Sequence, residues 1–446
     1  MSFARYPEYK DSGVEWLGEV PEHWDVKPIK WLSPVLRGAS PRPIEDPKYF
    51  DDDGEYAWVR IADSTASSGL LKETTQRLSA LGSSLSVKLE EGQLFVSIAG
   101  TVGKPCITAI KACIHDGFVY FPRLKINPIF LFRVFEAGVC YGGLGKFGTQ
   151  LNLNTDTIGS IRVAFPPVDE MSQVLAFIDR ETAKIDALVA EQEKLIALLQ
   201  EKRQAVISHA VTKGLDPSVP MKDSGVEWLG EVPAHWEVCA LRRVIAAIEQ
   251  GWSPECYARE AEEQEWGVLK AGCLNGGVFQ PSENKALPPE ITPDEKYEVR
   301  VGDVLMSRAS GSPELVGSTA LVKSTREQLM LSDKIFRLKL EDFVSTPFFV
   351  AALNSRPLRI QIENALSGGN GMASNLPQSS LLTFAITVPP QTEQSAIIDF
   401  LGHVVPELEA LTSEARSAIA LLQERRTALI SAAVTGQIDV RRTIHS

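Results

Sequence analysis

Twelve residues occur twice in this chain without a single change. The string KDSGVEWLGEVP occupies residues 10–21 and again residues 222–233. An identical string of this length does not recur by chance, so the chain contains two copies of one unit. Any function assigned to the chain must therefore explain why two copies are needed.

Two long helices are also duplicated. One is predicted over residues 169–212 and the other over residues 392–435, each just after a Pro-Pro pair, which suits a helix start. The segments LLQEKR at 198–203 and LLQERR at 421–426 hold matching positions in them.

Apolar residues recur every seven positions along both helices, as in the seam of a coiled coil, with Gln192 as a polar exception in the first. In the first helix, a companion position three residues further on is also apolar. The predicted seam residues are Ile178, Ile185, Leu188, Leu195, Leu199, Val206, Leu401, Leu408, Leu411, Leu422 and Leu429.

Two regions that match each other only in scattered positions separate these repeated parts. Short runs rich in β-branched and aromatic residues, broken by Gly and Pro, predict a mixed α/β domain in each. Strands are expected at 56–61, 93–98, 118–121, 266–271, 302–308 and 335–339, and helices at 129–137 and after Pro347. The fold class is therefore α+β, with a first domain over 1–165, a long helix over 166–213, a linker and second domain over 214–388, and a second helix with a tail over 389–446.

The distribution of identity between the two copies is informative. The string and the helices stay nearly fixed while the globular domains diverge. A purely structural array gives no reason for that difference. Two readers of different ligands, held in one frame, would show this pattern.

Charge alone does not favour a nucleic-acid ligand. The chain has 45 Lys and Arg against 57 Asp and Glu, a net charge of −12, whereas phosphate contacts require basic residues. Residues 88–165 nevertheless contain eight basic and five acidic side chains, so a locally positive module can exist within an acidic protein.

The sequence contains no recognised catalytic or metal-binding pattern. The six cysteines form no C-x-x-C pair, and His23 and His235 stand without a second ligand at metal-binding spacing. The segment PDEK at 293–296 has the letters of a nuclease site but is more simply a surface segment. With no apolar run of membrane-spanning length and no secretory signal, we expect a cytoplasmic protein without a metal site or a membrane partner.

The whole chain resembles the specificity subunit of type I restriction-modification enzymes. The resemblance rests on the repeated string, on GVEWLG at 225–230 followed by His235-Trp236, on Pro389-Pro390 followed by Glu393-Gln394, and on GDVL at 302–305. The first helix departs from the pattern, because Met171 rather than Gln follows Glu170.

The resemblance implies that both domains are target-recognition domains. The two helices would pack as an antiparallel coiled coil and place the domains at opposite ends with pseudo-twofold symmetry. Each domain would read one half of an asymmetric, bipartite target in double-stranded DNA. The implied partners are two adenine methyltransferase subunits that carry S-adenosylmethionine and an ATP-driven restriction subunit that translocates DNA.

This chain itself would then bind no cofactor and contain no catalytic residue. Two alternatives stay open: a coiled-coil scaffold that does not bind DNA, and a catalytic DNA nuclease or methyltransferase.

Candidate DNA-binding residues are polar side chains that follow the predicted strands or lie in Gly-rich loops, since such groups reach base edges and phosphates. They are Arg60, Ser97, Lys104, Lys146 and Gln150 in the first domain, and Lys270, Ser307, Arg308, Ser310 and Asn370 in the second. The repeated string cannot read two different half-sites, so we interpret it as a fixed foot that seats each variable domain against the helices.

Overall fold

The computed structural model describes residues 3–142, 144, 153–367 and 374–442. The chain divides into two compact units. Unit 1 comprises Met1–Glu193 and Ser417–Ser446, and unit 2 comprises Lys194–Arg416. Each unit therefore includes one part of each long helix.

Unit 1 contains short strands and mostly short helices. Its strands are β1 (Tyr9–Asp11), β2 (Glu19–Pro21), β3 (Asp25–Pro28), β4 (Leu36–Arg37), β5 (Tyr56–Val59), β6 (Leu70–Leu71), β7 (Gln76–Leu78), β8 (Val87–Leu89), β9 (Leu94–Ser97), β10 (Pro105–Thr108), β11 (Ala112–Ile114), β12 (Phe118–Tyr120) and β13 (Arg162–Phe165). Its helices are α1 (Ile29–Leu32), α2 (Ile61–Ala66), α3 (Ala80–Ser84), α4 (Pro128–Ala137), α5 (Thr155–Ser160) and the first part of α6 (Val168–Lys213). The last part of the second long helix, from Ser417 onward, also belongs to this unit.

The strands of unit 1 form two main sheets, in the orders β4-β12-β9-β10-β6 and β7-β5-β11-β8. Two smaller sheets pair β1 with β2 and β13 with β3. Phe95 and Phe118, both fully buried, pack edge to face between strands of the larger sheet with ring centroids 5.2 Å apart. A separate core of the unit joins α4, the repeated string and the long helices.

Unit 2 repeats this plan with longer strands. Its strands are β14 (Met221–Asp223), β15 (Glu231–Pro233), β16 (Glu237–Ala240), β17 (Ile245–Gln250), β18 (Gly267–Leu269), β19 (Asn284–Ala286), β20 (Val304–Ser307), β21 (Ala309–Ser310), β22 (Thr319–Leu321), β23 (Leu329–Met330), β24 (Ile335–Leu340), β25 (Ser374–Asn375) and β26 (Ala385–Val388). Its helices are the rest of α6, α7 (Thr346–Leu353), α8 (Arg356–Ser367), α9 (Gln378–Leu381) and most of α10 (Gln391–Val434).

Seven strands of the two larger sheets in each unit correspond in order. The order β17-β24-β20-β22 matches β4-β12-β9-β10, and β19-β18-β23 matches β7-β5-β11. The second of these sheets contains one parallel pair of strands in each unit. The pairs are β5 with β11 and β18 with β23, and they correspond. The two domains have divergent sequences. Within each of them, equivalent strand ends therefore lie beside one another in the same arrangement.

Most of the predicted elements occur close to their expected bounds. The predicted helix 129–137 is α4, with the Asn127 side chain capping its first turn, and both long helices lie within a residue of the predicted bounds. The strands predicted at 56–61 and 266–271 are shorter than expected. They end at Val59 and Leu269 because Arg60 and Lys270 begin short helical segments there.

The long helices contact each other within each unit. In unit 1, Ile178 and Leu429 are buried in the same core, and Arg426 pairs with Asp186 at 2.9 Å between Nε and Oδ1. In unit 2, Ile207 and Leu401 share a core.

The predicted seam needs a correction at its companion position. Ile178, Ile185, Leu199, Leu401, Leu408 and Leu429 are buried, and Val206 and Leu422 are half-buried. Leu188, Leu195 and Leu411 are instead exposed, by 45%, 41% and 48%.

The next residues along the chain take the inward positions. Val189, Ile196 and Thr412 are half-buried, four residues after a main seam position rather than three. Positions three and four residues away flank the same helical stripe on opposite sides, so the location of the neighbouring helix decides which one is covered. At 188/189 and 195/196 both neighbouring residues are apolar, so hydrophobicity alone does not distinguish the two sides.

Candidate nucleic-acid interface

The repeated string folds in the same way in both units. Strands β1 and β2 pair antiparallel, and a compact turn connects them. In that turn the Asp11 carboxylate accepts from the Gly13 amide at 2.9 Å, and the Ser12 hydroxyl accepts from the Val14 amide at 3.1 Å. In unit 2, Asp223 and Ser224 make the equivalent bonds at 3.0 and 3.1 Å.

Glycine is required at the turn because Gly13 and Gly18 have φ values of +65° and +59°, and Gly225 and Gly230 have +72° and +58°.

Residues that flank each string are fastened to the first turn of a long helix through one glutamate. In unit 1, Glu170 accepts from Trp24 Nε1 at 2.9 Å and from the Tyr6 hydroxyl at 2.7 Å, and it lies 2.7 Å from His23 Nε2. In unit 2, Glu393 accepts from Trp236 Nε1 at 2.9 Å and lies 2.7 Å from His235 Nε2. We call these two arrangements the clamps.

The clamps differ in burial. The Glu170 side chain is 9% exposed, whereas that of Glu393 is 39% exposed. Burial acts to raise the pKa of Glu170, but hydrogen bonds from Tyr6, Trp24 and His23 outweigh it and hold this pKa below its usual value. Burial and the bond to Glu170 raise the pKa of Tyr6. The first clamp therefore contains a buried carboxylate whose charge is satisfied by three donors.

The other side of each string contacts the end of a long helix. In unit 1, the Tyr9 hydroxyl donates to the Gly436 carbonyl at 3.0 Å, and Gln437 Nε2 donates to the Glu19 carbonyl at 2.7 Å. In unit 2, Lys213 Nζ donates to the Glu231 carbonyl. In each unit the foot thus joins the start of one long helix to the end of the other. The loops of the domain are separate from these contacts.

The loops that follow β9 and β20 are closed by the same backbone pair. Ser97 N donates to the Lys104 carbonyl at 3.0 Å, and Gly103 N donates to the Ser97 carbonyl at 2.8 Å. In unit 2, Ser307 N donates to the Ser318 carbonyl at 2.9 Å, and Gly317 N donates back to the Ser307 carbonyl at 2.7 Å. These loops have a common base and different lengths.

Ser97 and Ser307 therefore need a correction as candidate DNA-contacting residues. Their exposures are 0% and 1%, and the Ser97 hydroxyl donates to the Thr101 carbonyl inside its own loop. A hydroxyl covered by the protein cannot reach a base edge. Both residues form the base of a loop. Their position after a predicted strand correctly indicated a loop, but it did not indicate an exposed side chain.

Arg60 and Lys270 occupy equivalent places. Arg60 follows β5 and Lys270 follows the corresponding strand β18. Each of the two residues precedes a short helical segment. The Arg60 guanidinium donates to Thr75 and lies 3.5 Å from the Asp63 carboxylate, and Lys270 Nζ lies 3.5 Å from Glu283. Both keep part of their side chain at the surface, with 44% and 39% exposed.

Lys104, Arg308 and Ser310 are half-buried and engaged with neighbouring groups. Lys104 Nζ donates to the carbonyls of Thr65 and Ser67 at 2.6 and 2.8 Å, at the end of α2. The Arg308 guanidinium donates to the Asp333 carbonyl at 3.1 Å, and the Ser310 hydroxyl accepts from the Ser312 amide at 3.1 Å. Lys146, Gln150 and Asn370 lie outside the described residues.

Sequence reasoning missed the two glutamates of the clamps. Each glutamate lies three residues after the second proline of a Pro-Pro pair. In each copy an identical His-Trp pair occurs much earlier in the sequence. That matched spacing was a usable signal for a shared contact.

Comparison with known proteins finds relatives in sequence and a solved structure with the same fold. No family model matches the chain. The EcoEI type I restriction enzyme specificity subunit of Escherichia coli is 31% identical over 227 residues, which cover 50% of this chain and 38% of that protein. The EcoKI specificity subunit of Escherichia coli strain K12 is 20% identical over 444 residues, covering 95% of this chain and 91% of that one.

A solved structure described as the "structural basis underlying complex assembly and conformational transition of the type I R-M system" has the same fold. It matches with a TM-score of 0.65 and 16% identity over 93% of this chain and 98% of that one. In sequence the chain is therefore similar to type I restriction enzyme specificity subunits, and it shares the fold of this solved structure.

The part of the chain that the structure describes has few features of a catalytic centre. No group of three or more His, Cys, Asp or Glu side chains there could hold a metal ion. In the segment 293–296, Asp294 and Lys296 form an ion pair with each other at 2.7 Å. No helix among the described residues is long and apolar enough to cross a membrane.

Proposed function

We propose that this chain is the DNA-binding specificity subunit of a type I restriction-modification complex, in which each domain reads one half of a bipartite, asymmetric target. The observation that carries the proposal is the combination of two equivalent loop frameworks with different side chains on two identical feet. A fixed foot and a variable loop set are what two readers of different sequences require.

The long helices act as the spacer between the two readers. We propose that they pair along their length as an antiparallel coiled coil, supported by the Asp186–Arg426 pair in unit 1 and the Arg203–Glu409 pair of 3.2 Å in unit 2. With a rise of about 1.5 Å per residue, the 46 residues of α6 extend about 69 Å. Two modest half-site affinities joined by a rigid spacer give tight binding only when both half-sites occur at the matching separation.

The chain itself supplies recognition and no chemistry. Two adenine methyltransferase subunits carrying S-adenosylmethionine would modify the bound target, and ATP-dependent translocating subunits would restrict unmodified DNA. The net charge of −12 is compatible with this role, because partner subunits can supply many of the phosphate contacts that this chain lacks.

A footprint of the reconstituted complex tests the proposal. The chain is purified with its methyltransferase partner and mixed with DNA fragments that carry the methylated motif of the host strain. We expect two protected half-sites separated by an unread gap, and loss of affinity when either half-site is scrambled. Equal binding to target and scrambled fragments would contradict DNA recognition and favour the scaffold alternative.

The catalytic alternative is tested with the isolated chain. Cleavage or methylation of DNA by this chain without its partners, in the presence of Mg²⁺ or S-adenosylmethionine, would contradict a purely recognising role.

A further inference from the structure

Three separate segments of the chain meet at one end of the strands of the larger sheet in each unit. In unit 1 they are residues 37–42, 98–103 and 115–117, and in unit 2 they are residues 250–255, 308–317 and 332–334. We call each set a recognition edge. The segments come from distant parts of the chain, so their meeting is visible only in the folded protein.

Equivalent backbone bonds hold the two edges together. In unit 1, Ala39 N donates to the Ile114 carbonyl at 3.1 Å, and Ile98 N donates to the Gly117 carbonyl at 2.8 Å. In unit 2, Trp252 N donates to the Leu331 carbonyl at 3.1 Å, and Arg308 N donates to the Lys334 carbonyl at 2.8 Å. The two edges therefore share one backbone framework.

Glycine permits the close approach at the same place in both edges. A Cβ on Gly38 would lie 2.2 Å from the His115 carbonyl oxygen, and a Cβ on Gly251 would lie 2.1 Å from the Leu331 carbonyl oxygen. Contacts that short are not tolerated, so the residues beside these glycines are presented from nearly the same backbone position in each unit.

An aspartate anchors side-chain donors at each edge. In unit 1, Arg37 Nε donates to the Asp116 carbonyl, and Arg42 Nη2 donates to the Asp116 carboxylate at 3.2 Å. In unit 2, Gln250 Nε2 and Arg308 Nη1 donate to the Asp333 carbonyl at 3.2 and 3.1 Å. Arg37 and Gln250 are equivalent positions in the framework, and both attach to the backbone of the equivalent aspartate.

Each anchored side chain keeps groups that can bind a base. An arginine has five N–H donors, so those not bound to Asp116 remain for another acceptor, and the Arg42 side chain is 79% exposed. Gln250 is exposed and retains one amide hydrogen and its carbonyl oxygen. A paired arginine fork suits guanine O6 and N7, and a glutamine amide suits adenine N6 and N7.

We propose that Arg37 and Arg42 in unit 1, and Gln250 and Arg308 in unit 2, contact base edges and determine the sequence of the two half-sites. Asp116 is a positioning residue for Arg42 through its carboxylate, whereas Arg37, Gln250 and Arg308 are oriented by the main-chain carbonyls of Asp116 and Asp333. The proposal rests on the proposed function, and it names the side chains that distinguish one half-site from the other. The arginines are assigned to guanine and Gln250 is assigned to adenine.

The test uses the complete complex with its methyltransferase partner. Dissociation constants are measured for the target and for targets with one base pair changed, at several salt concentrations. The variants are Arg42→Ala, Gln250→Ala and Arg308→Ala. Lys111→Ala and Arg300→Ala are matched controls, because each removes an exposed cation that precedes β11 or β20, at the strand end away from the recognition edge.

We expect Arg42→Ala to weaken binding roughly 5- to 150-fold, the range for one paired base contact, and to remove discrimination at one position of one half-site. Gln250→Ala and Arg308→Ala should do the same only in the other half-site. The salt dependence should stay unchanged, because a base contact releases no phosphate counterion. The controls should bind as the unmodified complex does.

Two further variants separate recognition from folding. Arg42→Lys keeps the charge but lacks the planar fork, so it should also lose discrimination at that position. Asp116→Ala should relax the same half-site, whereas Asp116→Asn, which keeps an oxygen acceptor, should largely restore discrimination.

Uniformly weaker binding to all sequences with a smaller salt dependence would assign these side chains to phosphates and overturn the proposal. Unchanged discrimination in the variants would overturn it as well. If the unmodified complex fails to distinguish target from scrambled DNA, the proposed function itself fails.

Discussion

Replacing Glu170 by alanine should loosen the first foot far more than the matching change at Glu393 loosens the second. Glu170 accepts hydrogen bonds from the Tyr6 hydroxyl and Trp24 Nε1, and these two residues are 4% and 0% exposed. Glu170→Ala removes the acceptor of both donors at once. Glu393→Ala removes the acceptor of Trp236 Nε1 at a site where the glutamate side chain is 39% exposed, so water can replace it.

The expected magnitudes follow from the cost of unpaired buried donors. Each buried donor left without a partner costs about 1–3 kcal/mol, so two donors cost about 2–6 kcal/mol. At the second clamp Trp236 is also buried, with 1% exposed, but removal of the 39% exposed Glu393 side chain opens a path for water to Nε1, so the loss is close to the net value of one bond, about 1 kcal/mol. A difference of about 3 kcal/mol between the clamps corresponds to about a 150-fold difference in an opening equilibrium.

Hydrogen exchange measured by mass spectrometry on the full chain resolves the two feet. Peptides covering residues 9–21 and 221–233 report each string separately, so each variant has an internal reference in the other unit. Glu170→Ala should accelerate exchange in the first peptide about 100-fold or more, with the second peptide unchanged. Glu393→Ala should accelerate exchange in the second peptide about 5-fold.

Equal acceleration in the two variants would refute the reasoning, because it would mean that burial of the carboxylate does not set its contribution. The same holds if exchange in the first peptide were unaffected by Glu170→Ala. Glu170→Gln provides the matched control, since it retains an oxygen acceptor at the same place and should accelerate exchange less than alanine does.

Three further outcomes are expected. Ile185→Ala should lower the free energy of unfolding by about 2–4 kcal/mol, and Leu188→Ala should change it by less than about 0.5 kcal/mol, as measured by urea denaturation; similar losses would contradict the corrected seam. Gly103→Ala should lower the melting temperature more than Gly92→Ala, because both have positive φ but only at Gly103 would a Cβ meet an aromatic ring, at 2.9 Å; equal shifts would show that the ring moves freely. The pKa of Glu170 is lowered by folding, so its ionised form stabilises the protein above the usual carboxyl pKa of 4.5, and this stability is lost as the pH falls through the lower folded value. The stability difference between the unmodified chain and Glu170→Gln should therefore shrink below pH 4.5 in denaturation curves, and a difference independent of pH would contradict that linkage.

Much of the fold could be predicted because the duplication supplied a second, independent view of each element. The Pro-Pro pairs placed both long helices to within a residue, and the strands β9, β12 and β24 lie where β-branched and aromatic residues cluster. Such signals are local, and local composition and spacing decide them.

The errors arose where a distant contact decides the outcome. Leu188 is as apolar as a seam residue, but the neighbouring helix lies on the other side of the stripe and leaves it 45% exposed. Ser97 follows a strand as a loop residue should, yet its hydroxyl is turned back into the loop. The clamp of His23, Trp24 and Glu170 joins positions that are 147 and 146 residues apart, which no local pattern reveals.

The recognition edges show the same limit. Arg37 and Asp116 are distant in the sequence, and neither follows the strands that guided the choice of candidate residues. Only the register of the main sheet, in which Val119 of β12 lies opposite Arg37 of β4, brings them together.

Exchange of one domain tests the central claim most directly. Residues 36–160 of this chain, which include Arg37 and Arg42, are replaced by the corresponding residues of another specificity subunit, and methylated adenines are mapped in a strain that carries the hybrid and the methyltransferase partner. One half of the recognised sequence should change while the other half stays as it was. A hybrid complex that methylates a site altered in both halves, or altered in neither, would contradict the division of recognition between two domains.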